Sequence, residues 1–80
     1  MTLISAVALV CFPHAEMVAH LDTQKNQSQV VAAQEDRGAL VEVYVSELGS
    51  WSMVITNPDL RSCIIGTGTQ WMIVPWGELS

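Results

Sequence analysis

Leu40-Val41-Glu42-Val43-Tyr44-Val45-Ser46 alternates without a break. Val41, Val43 and Val45 fall on one side of an extended chain, and Glu42, Tyr44 and Ser46 fall on the other. A run of that period, rich in β-branched side chains, predicts a strand with one apolar face. Downstream, Glu47-Leu48-Gly49 turns the chain. Ser50–Thr56 then repeats the pattern, with Trp51, Met53 and Ile55 on one side and Ser52, Val54 and Thr56 on the other. Asn57-Pro58-Asp59-Leu60 is a turn with proline at its second position. Arg61–Gly66 is the next strand, carrying Cys63 and Ile65 on one face. Gly66-Thr67-Gly68-Thr69-Gln70 reads as a reversal, and Trp71–Val74 as a short fifth strand that Pro75 ends, because proline cannot donate to a ladder. Upstream of Leu40, Ser28–Gln34 is a strand joined by the turn residues Glu35-Asp36-Arg37-Gly38. Short connections between consecutive strands predict an antiparallel meander.

One helical pattern precedes the strands. Pro13 suits a first helical position and Glu16 faces the positive end of the helix dipole. At about 100° per residue, His14, Met17, Val18 and Leu21 share a stripe, with Glu16, Ala19 and His20 opposite. The helix is expected over Pro13–Asp22, before the polar run Thr23-Gln24-Lys25-Asn26-Gln27. The expected fold is therefore α+β: one short N-terminal helix packed on a four- to five-stranded antiparallel meander. By the same logic the Trp51, Met53 and Ile55 side of the sheet lies under the helix.

The 80 residues carry 3 Lys+Arg against 8 Asp+Glu, a formal charge of -5, and half of them are hydrophobic. That length allows one domain. The scattered Lys25, Arg37 and Arg61 make no phosphate-binding patch, which argues against nucleic acid as a partner. The high apolar fraction excludes a disordered tail. Residues 1–12 (MTLISAVALVCF) are uncharged. As a helix they would rise only about 18 Å, too little for a membrane core of ~30 Å. They lack the basic start and long apolar centre of a secretory signal. They are read as an apolar N-terminal arm or truncated signal-like segment, and residues 13–80 as a single α+β domain.

Cys11 and Cys63 are the two cysteines. A structural zinc site would need both of them and both histidines at spacings that fit no finger, so no metal is expected. A Cys11–Cys63 disulfide would close a loop of about 53 residues and stabilise by roughly 4 kcal/mol. Two buried thiols in a reducing compartment are the alternative.

A wider pattern runs through the chain. Cys11-x-Pro13-x-x-x-x-Val18-x-x-Leu21 opens it, followed by Val41-Glu42-Val43 and Gly49-Ser50-Trp51. Ile55-Thr56-x-Pro58-x-x-x-Ser62-Cys63 and Gly68-x-x-Trp71 complete it. Over Cys11–Trp71 this resembles a group of small exported proteins of alphaproteobacteria with phage-encoded relatives. The resemblance implies a helix plus meander, with the cysteine before the helix tied to one in a late strand, and it implies no activity. The chain departs from the group in its reduced export signal, which favours the phage side, and at Asp59-Leu60, where the group usually has a turn glycine.

The candidate chemistry is sparse. Glu16 and His20, four apart on one helix face, are a solvated pair without a third metal ligand. His14, on the apolar stripe, is expected to pack against the sheet. Glu42 and Glu47 project to opposite sides and are read as an outward strand charge and a turn residue, not a glycosidase pair. Cys63 has no orienting group for a nucleophile. Gly66-x-Gly68 precedes no helix, so it reads as hairpin backbone and not as a phosphate cradle. No enzyme and no cofactor are expected.

The apolar ends carry more information. Leu3, Ile4 and Val7 lie in the arm, and Trp71, Ile73 and Trp76 in a C-terminal stretch free of charge until Glu78. The latter is either a docking edge covered by another chain or a fifth strand whose aromatics cap the core. A body this small buries only about 60–65% of its unfolded surface. These six residues are therefore expected to contact a protein partner or a second copy. The functional expectation is a non-catalytic interaction protein docked on a larger assembly, virion-associated. The alternative is an exported periplasmic binding or inhibitor module.

Overall fold

A computed structural model describes residues 9–72. In chain order the elements are β1 (Cys11–Pro13), α1 (His14–Lys25), β2 (Ser28–Gln34), β3 (Leu40–Val45), β4 (Trp51–Thr56) and β5 (Arg61–Gly68). The strands form one antiparallel sheet in the order β1-β5-β4-β3-β2. Strands β2 to β5 are the expected meander. The fifth strand is β1, paired beside β5 with Cys11 opposite Cys63 and Phe12 opposite Ser62. It is not Trp71–Val74: Trp71 and Met72 are outside any strand, and the rest of that stretch lies outside the described residues. The helix thus follows a strand instead of opening the fold.

The helix starts one residue later than expected and runs three residues further. Pro13 holds the N-cap position with φ −54° and ψ 147°, and the His14 N–H donates to the Leu60 carbonyl at 2.8 Å. At the other end Asn26 adopts a left-handed conformation. The Asn26 and Gln27 N–H groups close back on the Asp22 and Leu21 carbonyls, the cap that an asparagine in this conformation permits. Glu16 and Lys25 sit at the ends where the helix dipole favours their charges.

Three hairpin turns share one geometry. In each, the first residue bonds the fifth and the fourth N–H returns to the first carbonyl, as in Glu35–Ala39, Ser46–Ser50 and Asn57–Arg61. The fourth residue takes a positive φ: 100° at Gly38, 94° at Gly49 and 68° at Leu60. A side chain in this region costs about 1–2 kcal/mol. Leu60 bears that cost, where the other two turns have glycine.

Which face of the sheet is covered differs from expectation. The core consists of Met17 and Leu21 from α1 against Tyr44 and Val54, with Phe12 and Ile64 packed on it. Cross-strand partners share a face, and the register pairs Glu42 with Val54, Tyr44 with Ser52 and Thr56 with Ser62. The helix therefore lies on the face that looks polar in the sequence. Trp51, Met53 and Ile55 oppose Val45, Val43 and Val41 on the other face, and only Val43 of these six is buried. The physical reason is the narrowness of the helix stripe. Only Met17 and Leu21 are fully enclosed, while Val18 is 38% exposed. Two apolar side chains need a small apolar landing, and Tyr44, Val54 and Ile64 supply it.

Gly66 and Gly68 belong to β5 and not to a reversal. The Trp51 indole lies across them: a Cβ on Gly66 would stand 3.7 Å from the ring, and one on Gly68 would overlap it. The Cys11–Cys63 disulfide is formed and links residues 52 apart in sequence.

Candidate functional site

Glu42, expected to point into solvent, is 1% exposed. It lies at the centre of β3 on the helix side, and a buried carboxylate is tolerable only when its oxygens are occupied by donors. Here every neighbour supplies one. His14 Nε2, at the helix start, approaches Oε1 at 3.1 Å. The Thr56 hydroxyl donates to Oε1 at 3.3 Å. The Tyr44 hydroxyl donates to Oε2 at 3.0 Å, and the Gln29 side-chain amide donates to the same oxygen. Thr56 spends its single proton on Glu42, so Ser62, 2.7 Å away, donates to Thr56. Four strands and the helix start are thereby tied to one carboxylate.

Burial, and next the Glu42 carboxylate that receives its hydroxyl, push the Tyr44 phenol well above its ordinary value of 10.0. The cluster has the composition of an acid–base site, with its hydrogen-bonding groups turned on one another. Each member is held by another member, and both cysteines are consumed in the disulfide, leaving no free thiol in the chain. Among the described residues two buried side-chain atoms have no partner, Ser52 Oγ and Gln27 Oε1.

A cleft of about 420 Å³ opens beside this cluster, between α1 and the start of β2. His14, Ala15, Val18, Ala19 and Asp22 form its helix wall, and Gln27, Ser28, Gln29, Glu42 and Tyr44 its sheet wall. No Lys or Arg lines it. At the far end of the helix a wider depression of about 830 Å³ runs between Lys25 and the β3–β4 turn.

The edges of the sheet differ sharply. At β1 the edge is three residues long and ends in proline, both of which blunt further pairing. At β2 all seven residues are exposed, including Val30 at 51% and Val31 at 48%. The strand carries no charge, and its one irregularity is a register shift between Gln29 and Val31. Ladder bonds alternate sides along an antiparallel strand. Counting back from the Glu35 N–H to Ala39 carbonyl bond, Ala32 and Gln34 turn their backbone N–H and C=O groups to the open side.

The other sequence candidates are dispersed. Glu16 is exposed. His20 is not its solvated partner but stacks on Phe12, with ring centroids 5.0 Å apart. Among the described residues no three His, Cys, Asp or Glu side chains gather as metal ligands. Glu47 is exposed in its turn. Trp71 is half-buried and its N–H donates to the Gly49 carbonyl at 2.9 Å. Leu3, Ile4, Val7, Ile73 and Trp76 lie outside the described residues. Among the described residues no helix is long and apolar enough to cross a membrane.

Comparison with family models, with curated proteins and with solved structures finds no match to this chain. The site therefore rests on its own geometry. The sequence signal that could have found Glu42 is a single charge on an otherwise hydroxyl-rich face: Tyr44, Ser52, Thr56 and Ser62 all fall beside it once the strands are set in register.

Proposed function

We propose that this chain is a non-catalytic interaction protein that docks on a larger assembly by lending the open edge of β2 to a strand of another protein. The observation that carries the reading is the exposure of all seven residues of β2, with Val30, Val31, Ala32 and Ala33 uncovered and no charge to repel a neighbour. Such an edge is a ready template for a further strand, and main-chain bonds supply the affinity. The net charge of -5 selects basic partners and disfavours a second acidic copy at long range. The apolar outer face of the sheet continues from this edge through Val31, Val43 and Met53. An accessory component of a phage particle fits these features and the resemblance of the motifs.

The edge is tested without knowing the partner. At millimolar concentration even a like-charged copy should occupy it, so sedimentation should show association, and amide exchange at Ala32 and Gln34 should slow as concentration rises. Ala32→Pro removes the outward N–H at a position where an edge strand tolerates proline, and it should abolish both effects. A monomer at all concentrations, with unchanged exchange at these amides, overturns the reading.

A second reading, an exported periplasmic binding or inhibitor module, is favoured by the Cys11–Cys63 disulfide, because such bonds persist in oxidising compartments. Cell fractionation separates the two.

A further inference from the structure

We infer that the cleft between α1 and β2 receives an arginine side chain from the partner strand that pairs with the β2 edge. The inference rests on the docking proposed above and names the chemistry of what docks.

The walls of the cleft divide by character. Ala15, Val18 and Ala19 give a shallow apolar strip along the helix, suited to a side-chain stem of methylene groups. At one end of the strip stand Asp22, exposed on the helix, and Gln27. Gln27 is 3% exposed. Its Nε2 donates to Ser50 Oγ at 3.2 Å, and its Oε1 accepts from nothing. That oxygen is enclosed and not open to the cleft, so a guanidinium reaches it only by displacing what covers it, and would then recover what an unpaired buried acceptor costs, about 1–3 kcal/mol.

Glu42 adds negative charge to the opposite end but no vacant lone pair, since His14, Thr56, Tyr44 and Gln29 occupy it. The cleft therefore offers its occupant the exposed Asp22 carboxylate, with the Glu42 charge nearby, and no Lys or Arg of its own. Guanidinium is the group that meets this demand. It is planar, always charged and carries five donors in a fork that matches a carboxylate, on a stem of methylene groups. A strand added to β2 lies about 4.8 Å beyond it. A long side chain on the helix side of that strand can therefore reach past Ser28 and Gln29 into the cleft. The acidic character of the whole chain favours the same partner.

The experiment uses the full chain and N-acetyl-arginine methylamide as probe, followed by nuclear magnetic resonance. Saturable shifts are expected at the Ala15, Val18 and Ala19 methyl groups and at the Gln27 side-chain amide. Asp22→Asn, an exposed position, should weaken binding about tenfold, the loss of one charge-assisted contact. The citrulline analogue, equal in shape but uncharged, should produce no saturable shift. Absence of saturable shifts from the arginine probe overturns the inference, as does equal binding of the citrulline analogue or an unchanged affinity in Asp22→Asn. The probe has no strand to pair, so it reads the cleft even where the edge fails. Ala32→Pro reads the edge even where the cleft fails.

Discussion

On the helix side, strands β3 to β5 present Glu42, Tyr44, Ser52, Thr56 and Ser62 around Val54 and Ile64. On the opposite side β3 and β4 present Val41, Val43, Val45, Trp51, Met53 and Ile55. The polar set is almost wholly enclosed, while five of the six apolar residues are half-buried. Apolarity alone did not decide which face met the helix. A hydrogen-bonded carboxylate network can be enclosed because each group has a partner, whereas an apolar face can stay half-open when the described residues hold only one short helix to lay down. The enclosed face specifies how helix and sheet dock, and the outer face is left half-buried.

The largest test inverts the usual ranking of core residues. Glu42→Ala leaves His14, Tyr44, Thr56 and Gln29 without their common acceptor and should lower stability by about 3–5 kcal/mol in urea unfolding. Val41→Ala, on the half-buried outer face, should cost only about 1 kcal/mol, below the usual range for a fully enclosed side chain. The reverse order would mean that the outer face is the true core. A smaller effect probes the outer face itself. Gly68→Ala forces the Trp51 indole to move and should cost about 1–3 kcal/mol with a change in tryptophan emission. Gly66→Ala, whose added methyl meets the ring at ordinary contact distance, should be close to neutral. Equal effects at both glycines would show that Trp51 does not lie across β5.

The smallest effect is a pH dependence. Tyr44 is the chain's one tyrosine, and its phenol is held protonated in the folded state beyond the ordinary value of 10.0. The stabilisation is fully present below pH 10. Above it the unfolded chain loses the proton and the folded chain keeps it, so stability falls by about 1.4 kcal/mol per pH unit until the folded phenol titrates. Tyr44→Phe should remove this alkaline slope, at a cost of about 1 kcal/mol near neutrality for the lost hydrogen bond. A slope that survives in Tyr44→Phe would assign it to another group.

Much of the fold was legible. Alternation located β2, β3, β4 and the start of β5, because a period of two is a direct imprint of the extended backbone. Turn residues placed all three hairpins, and Cys11 and Cys63 were recognised as a candidate pair. The choice of face was not legible, because period marks two faces without saying which one meets the helix. Glu42 read as solvated because its four donors come from residues 14, 29, 44 and 56, and only the assembled register brings them together. The edge strand Cys11–Pro13 was missed because three residues are too few to show a period. Gly66 and Gly68 look like turn residues in the sequence because their use, clearance for Trp51, depends on a neighbour fifteen or more residues earlier.

The strand order carries a consequence for how the chain is assembled on a ribosome. The neighbour of β1 is β5, the last strand in sequence among the described residues. As the chain grows, Cys11 emerges before Cys63 and waits through the making of the helix and of strands β2 to β4 before its mate exists. Capture of that waiting thiol by another molecule would leave β1 without its staple, so the oxidised pair reports that β1 and β5 have met.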